Sequence, residues 1–492
     1  MSDNGSLFND DDLFGSSEPV VRETRQSEAE SVPYAARYSN SRIKPISLDG
    51  LNPMQREAAE HVDGPLLVVA GAGSGKTRVL THRIAHLISN HGVSPMNILA
   101  ITFTNKAAGE MKHRVESLIG PVAKSMWVST FHSACVRILR VNAERIGYPK
   151  TFSIYDQADA QRLTGYVIRD MGLDVKRFTP RAVHAVISNW KNELVSPTQA
   201  AERAAHIFDR KHSEIYREYQ ERLLKAGAMD FDDLLVNVVR LFRMHTDVLA
   251  SYQDRFKYIL VDEYQDTNIA QNEIVLSLAA RHHNVCVVGD TDQSIYAFRG
   301  ADFRNIGQFE DAFDEVSVVV LEQNYRSTQN ILDAANAVIA QNFGRKPKEL
   351  WTETGPGDAI VRFHADDEGD EAAFVARTMQ TLRTGGRKWG DMAVFYRTNP
   401  QSRVVEEIFM RFGVPYKVVG GTRFYDRREI KDAVAYLRVV TNPLDEVSVK
   451  RVLNMPKRGI GDTSISRLDV FAREENISFF EALHRAGDAG VS

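Results

Sequence analysis

The sequence predicts an α/β protein built on a parallel sheet with helices on both faces. Three observations carry that prediction. Five short apolar runs, "PLLVVA", "MNILAITFT", "KYILVDE", "NVCVVGD" and "VSVVVLEQN", read as buried strands. Most are followed by a polar loop and then a helical pattern, as in "TRVLTHRIAHLIS", where Leu80, Ile84, Leu87 and Ile88 share one face. The runs do not alternate apolar with polar, which is the mark of strands covered on both sides.

Composition agrees with this class. The 492 residues are 43% apolar and 26% charged, and no apolar run approaches the ~20 residues needed to span a bilayer. The start, "MSDNGSLFNDDD", is acidic and lacks a basic stretch followed by an apolar core, so no secretory signal is expected. Cys135 and Cys286 both lie in apolar surroundings and read as buried thiols in a reducing, cytoplasmic compartment. Net charge is −4, but residues 1–31 hold eight acids and two bases, so the rest of the sequence carries +2. A near-neutral body can bind nucleic acid through one basic groove, and bulk charge neither favours nor excludes it.

Residues 1–47, rich in Ser, Asp and Glu, read as a disordered acidic tail. Order is expected from "LDGLNPMQREAAEHV", with Asn52 capping a helix and Pro53 in its first turn. Residues 48–139 and 229–315 form the expected first domain. The stretch 140–228, charged and helical as in "HSEIYREYQERLLKAG" with Gly227 as C-cap, reads as a helical insertion. A second strand-and-helix series, including "DMAVFYR", is expected over 316–421, and helices again over 422–492.

The chemistry begins where the first strand ends. "GAGSGKT", residues 71–77, places a glycine-rich turn, Lys76 and Thr77 between a strand and a helix, the order a phosphate cradle requires. The strict pattern asks for glycine at 70, where the sequence has Ala70; at a strand end no positive φ is needed there. "ILVDEYQDT" ends a strand in Asp262 and Glu263, one carboxylate to hold Mg²⁺ and one to take a proton from water, on a strand expected beside the loop. In "VVGDTDQSIYAFRGAD", Gln293 is a candidate γ-phosphate sensor. Tyr296, Phe298 and Arg299 behind it read either as core packing or as a base-stacking platform. In "LEQNYRS", Arg326 reads either as a solvated arginine or as a finger carried by a second domain.

Taken together, these segments resemble superfamily 1 helicases of the UvrD/PcrA/Rep type. "LNPMQREA", "AGAGSGKT", "ITFTNKAA", "STFHS", "MDFDDLL", "VDEYQD", "VGDTDQSIYAFRGAD", "NYRS" and "VFYRTNPQSR" match the family's motifs in family order from about residue 50 onward. The family commonly carries Ala first in the loop, as Ala70 does here. The resemblance implies a RecA-like phosphate-loop domain with a helical insertion, an incomplete second RecA-like domain, and the start of a helical accessory domain. It implies that ATP is held by Gln55 at the adenine edge, Tyr325 on the base, Arg78 nearby, and Ala70, Gly71, Ala72, Gly73, Ser74, Gly75, Lys76 and Thr77 around the phosphates. Thr77 and Asp262 would hold Mg²⁺. Glu263 would be the general base, with Gln293, Arg299 and Arg326 at the γ-phosphate. Phe103, Thr130, His132, Phe231, Tyr296, Phe298 and Asn399 would line a single-strand track, although His132 also reads as a core or capping histidine. Gly459 and Gly461 of "PKRGIG" would approach duplex phosphates.

The family's T-x-H-x-A-K-G-L-E and Y-V-x-x-T-R-A segments do not occur in these 492 residues. The resemblance therefore implies a protein truncated at its C-terminal end relative to the family. Its second core domain would be compromised, and coupled unwinding by these residues alone is not expected. The leading expectation is an ATP-dependent DNA helicase and translocase moving 3′ to 5′ on single-stranded DNA. It would work at single-strand/duplex junctions in repair or replication and meet repair or replication proteins there. The alternatives are an ATP-modulated single-strand-binding fragment without turnover, and a protein that competes for a partner of the intact helicase.

Overall fold

A computed structural model describes residues 43–296, 300–302, 304–342, 346–419 and 428–491. The expected tail thus lies outside the described residues except for 43–47. Two compact units are formed, a larger one with its described residues within 16–356 and 432–492, and a smaller one over 357–431.

The larger unit is organised by a six-stranded, wholly parallel sheet. Its strands are β1 Leu66–Ala70, β2 Ile98–Thr102, β3 Trp127–Thr130, β6 Tyr258–Val261, β7 Val285–Gly289 and β8 Ser317–Leu321, in the order β3-β2-β6-β7-β1-β8. Two short strands, β4 Ser153–Tyr155 and β5 Ala228–Asp230, pair separately. Successive residues of β1 feed different cores: Leu67 and Val69 pack on one face, Leu66, Val68 and Ala70 on the other. β2, β6 and β7 divide in the same way, Ile259 and Val261 against Leu260 for example. Each buried Val or Leu contributes about 1.5–3 kcal/mol, so both faces select apolar residues and no alternation survives in the sequence.

The helix before β1 starts as expected. Asn52 caps Pro53–Glu60 and forms a reciprocal capping box with Gln55. Leu80, Ile84, Leu87 and Ile88 of helix Lys76–Ser89 are all buried, and Cys135 and Cys286 are buried free thiols. Helix Ile207–Lys225 ends at Ala226, with Gly227 one residue further at φ +56°.

Three expectations change. β8 pairs with β1 along its whole length, so the first sheet runs past the expected break at 315/316. The insertion 140–228, expected to be helical, holds β4, whose partner β5 begins at its last residue; three-residue strands are too short to appear as apolar runs. In the smaller unit, "DMAVFYR" reads as a strand in sequence, yet no strand forms among that unit's described residues. Met392 and Val394 still turn inward onto the cluster of Ala372, Ala376, Ile408 and Phe409, while Phe395 is 94% exposed. The period of two is present, but a strand is completed only by hydrogen bonds to a neighbour.

Residues after 432 behave as helices where described, with Glu446–Leu453, Asp462–Glu474 and Phe479–His484. They sit on the insertion. Tyr155 donates to Asp445 (2.6 Å), Arg438 pairs with Asp159 (2.8 Å), and Val447 joins the insertion's apolar core.

Candidate nucleotide site

Parallel strands deliver their following loops to one edge of the sheet, and the candidate residues collect there. β1 ends at Ala70, fully buried and in register with Leu321, so the residue in the first loop position is a strand residue needing no positive φ. Gly73 and Gly75 do need it, at φ +69° and +90°. A Cβ on Gly73 would stand 2.5 Å from the Asn324 amide, and one on Gly75 2.7 Å from Nε2 of Gln55. The turn is a cradle that only glycine leaves open. It is pinned from both sides. Gln55 donates to the Ser74 carbonyl (2.8 Å), Asn324 to the Ala72 carbonyl (2.6 Å) and the Tyr325 N–H to the Gly73 carbonyl (3.0 Å). Ser74 folds its hydroxyl back onto Gly71 (2.8 Å). Helix Lys76–Ser89 then begins with no side-chain cap at Gly75, which leaves its N-terminal amides pointing into the loop with Thr77 in its first turn.

Three strand ends converge on Lys76. Its ammonium lies 3.1 Å from Glu263, after β6, and 3.3 Å from Oε1 of Gln293, after β7. β6 is not beside β1 as expected; β7 stands between them, which is how Gln293 comes to be in the group. Glu263 adopts φ +51°, a costly conformation for a non-glycine residue, at the bend that turns its carboxylate toward Lys76. Asp262 is buried beside it, and burial together with the Glu263 charge pushes its carboxyl up to about 7. A further positive charge beside Asp262 would offset both causes, which suits a divalent cation. Among the described residues no cluster of three or more His, Cys, Asp or Glu could hold a metal. A cation carried largely by phosphates and held by Asp262 and Thr77 fits this donor set.

Tyr325 is exposed, and its hydroxyl accepts from Asn52 (2.8 Å) and donates to Gln323 (2.8 Å), which sets the ring beside the Gln55 helix. Arg78 donates to the Gly50 carbonyl (2.7 Å) at the same end. Arg326 is exposed, and its Cβ lies against the glycine turn. The NYRS turn follows β8 directly, so Arg326 leaves the edge of the sheet that carries the loop.

Of the expected strand-track residues, Phe103 and Tyr296 stack with ring centres 5.2 Å apart, following β2 and β7. Thr130 and His132 point inward. The Thr130 hydroxyl caps helix Phe131–Asn142, and His132 is buried edge-on to Phe231 (5.9 Å), its imidazole pushed down by burial to about 4. His132 is therefore a neutral core histidine in this state, and Thr130 is a cap. Asn399 lies exposed in the smaller unit, in the turn Asn399–Gln401. Phe298 and Arg299 lie outside the described residues, and Gly459 and Gly461 lie in the loop before helix Asp462–Glu474.

The profile described as UvrD/REP helicase N-terminal domain matches residues 51–314, and that of the UvrD-like helicase C-terminal domain matches 319–486. The chain belongs to the UvrD/REP helicase family. It is 53% identical to the ATP-dependent DNA helicase PcrA of Bacillus subtilis over 90% of its own length and 60% of that protein. With the ATP-dependent DNA helicase UvrD1 of Mycobacterium tuberculosis it shares 53% identity over 90% of its own length and 59% of that one. With PcrA of Staphylococcus aureus the figure is 50% over 90% and 61%. The chain thus spans about 60% of the length of these relatives.

Several residues around this UvrD/REP site were not singled out in the sequence. Asn324 fastens the loop and, through Oδ1, accepts from the N–H groups of Arg326 (2.8 Å) and Ser327 (2.7 Å). Gln265 is buried and donates to Glu263 (2.9 Å). Lys348 is buried against Asp290 and Asp292. An Asn or Gln beside a known motif gives some signal; Lys348 gives none, since a buried lysine is spelled like a solvated one.

Proposed function

We propose that this chain is the ATP-hydrolysing portion of a DNA helicase and translocase that moves 3′ to 5′ on single-stranded DNA. The observation that carries the reading is the meeting of Lys76, Glu263 and Gln293 from three loops at one sheet edge. In this reading the turn 70–75 wraps the phosphates with backbone N–H groups, while Gln55, Arg78 and Tyr325 bind the base. Lys76 holds Glu263 in the free protein, and an entering triphosphate competes for that ammonium. Glu263 then accepts a proton at its carboxylate from the attacking water, and Gln293, Arg299 and Arg326 orient and neutralise the terminal phosphate. A Mg²⁺ ion on Thr77 and Asp262 supplies charge neutralisation of the phosphates.

The stacked Phe103–Tyr296 pair supports a nucleic-acid face on the same sheet edge, where each stacked base is worth ~1–3 kcal/mol. Phe231 extends that face in the proposal, Thr130 and His132 support it from behind, and Phe298 and Asn399 are assigned to strand binding by the family motifs alone. We assign residues 48–139 and 229–321 to the first RecA-like domain, 140–228 to the insertion, the following residues to 421 to the second core domain, and 422–492 to the accessory domain. The substrates are single strands and single-strand/duplex junctions, in repair or replication within the cytoplasm. No helix among the described residues is long and apolar enough to cross a membrane.

The test is phosphate release from MgATP by the full 492-residue protein, with and without a long poly-dT strand. Stimulation by DNA that drops by about 10²–10⁴-fold in Glu263→Gln is expected. Strand binding without any DNA-stimulated release would instead make it an ATP-modulated DNA-binding portion.

A further inference from the structure

The hydrogen bonds around Lys76 close into a ring. Lys76 meets Glu263 and Gln293; Gln265 donates to Glu263 (2.9 Å) and accepts, at Oε1, the N–H of Asp290 (2.9 Å); Gln293 donates from Nε2 to Asp290 Oδ2 (2.5 Å). The Gln293 amide therefore lies between opposite charges, an ammonium at its oxygen and a carboxylate at its nitrogen. Reversing it would set donor against donor at Lys76 and acceptor against acceptor at Asp290. The carboxylate of Asp290 is what fixes this orientation.

Asp290 is 2% exposed, and a carboxylate at that depth persists only with a counter-charge. Lys348 supplies it, its side chain equally buried and its ammonium against both Asp290 and Asp292. Neighbouring backbone holds the lysine there. Leu350 donates to and accepts from the Asn336 side chain (3.2 and 2.9 Å), and the Trp351 carbonyl accepts from the Asn324 N–H (2.7 Å). Leu350 lies so close to the phosphate loop that a Cβ on Gly71 would stand 2.2 Å from it. Residues 348–351 thus touch the phosphate loop, the loop after β7 and the NYRS turn together.

We propose that Lys348 is a positioning residue that acts through Asp290 to hold the Gln293 amide in one orientation, so that a terminal phosphate meets a fixed amide. This rests on reading the site as one for a nucleoside triphosphate. Lys348 acts through the carboxylate of Asp290, and its effect is to remove the choice between two amide orientations.

The experiment is calorimetric titration of the 492-residue chain, in Mg²⁺, with ADP and with the non-hydrolysable triphosphate AMP-PNP. The quantity read is the ratio of the two affinities. Lys348→Met is expected to shift that ratio toward unity by about tenfold, the scale of one lost hydrogen bond to a charged group. Gln293→Ala should shift it equally, the double variant no further, and Lys348→Arg should keep the wild-type ratio. Because Lys348→Met leaves the fully buried Asp290 carboxylate without its counter-charge and invites unfolding, the pair Lys348→Met/Asp290→Asn is measured alongside; it removes the lysine and its more buried carboxylate, leaves only Asp292, whose side chain is 11% exposed, and should fold while still losing the ratio. The proposal is overturned if Lys348→Met or Lys348→Met/Asp290→Asn retains the wild-type ratio, if losses at Lys348 and Gln293 add, or if the wild type binds the two nucleotides equally. A wild-type protein that binds neither nucleotide overturns the triphosphate reading, and the proposal with it.

Discussion

Burial disfavours the charged form of both His132 and Asp262, and for His132 the consequence can be measured. The His132 imidazole is pushed down to about 4 by burial alone. On acidification the unfolded state takes up this proton near 6.5 while the folded state refuses it. Stability linked to His132 is therefore full above about pH 6.5, falls as pH drops toward 4, and is level below that. His132→Gln should gain about 1–2 kcal/mol relative to the wild type between pH 7 and pH 5, read by urea unfolding at the two values. A difference that does not change with pH would contradict a neutral, buried imidazole. Residue identity was legible where a site is written contiguously: 66–77 carries strand, turn, lysine and helix start in one reading. It was not legible for Lys348, which lies 58 residues from the aspartate it neutralises, and for His132 the sequence left the core and strand-facing readings both open, because a motif fixes neighbours and not exposure.

At the scale of elements, the insertion is fastened to the first sheet's helices by buried charge. Lys191 lies between Asp230 and Asp233 at 2.7 and 2.8 Å, and Tyr219 donates to Asp230 as well (2.8 Å). Burial, with the Asp230 charge added, pushes Asp232 up to about 7 and Asp233 up to about 6, so this cluster has little tolerance for losing its cation. Lys191→Met should cost about 3–5 kcal/mol, the usual penalty for stripping one partner from a buried pair, seen as a lower urea midpoint with an unchanged slope. "MDFDDLL" announces these aspartates, but their partner comes from a helix 39 residues earlier and is invisible to any local pattern. β3, which ends in Ser129 and Thr130, was not legible as a strand, and neither were the three-residue β4 and β5; the other five of the sheet's six strands were, because each is a mainly apolar run. Their neighbours were not: β8 reads as part of the next domain, since a run such as "SVVVL" carries no mark of the sheet it joins.

At the scale of the larger unit, residues after 432 are held to the insertion by Arg438 on Asp159 and the Ile154 carbonyl, Asn442 on the Ala226 carbonyl (2.7 Å), and Tyr155 on Asp445. Burial raises Asp159 even though Arg438 works to lower it, so the pair sits at an enclosed contact and not on an open surface. Arg438→Ala should loosen this attachment, and amide hydrogen exchange in residues 446–491 should quicken while exchange in β1 and β7 does not. Equal acceleration in both would mean that the helices and the sheet open as one cooperative body.

The order of strands has a further consequence, for the polypeptide as it is made. β1 is synthesised well before the strands it pairs with, β7 and β8, whose partner residues Cys286 and Ser317 come more than 200 residues later. At ~5–20 residues per second a ribosome needs about ten seconds or more to supply them. During that interval a wholly apolar strand has both edges bare, and the glycine cradle hangs from its end without the turn that pins it. The nascent protein is thus a client for whatever shields unpaired strands near the ribosome, and a synonymous codon change that slows translation between 71 and 317 would lengthen the exposure without altering one residue of the finished protein.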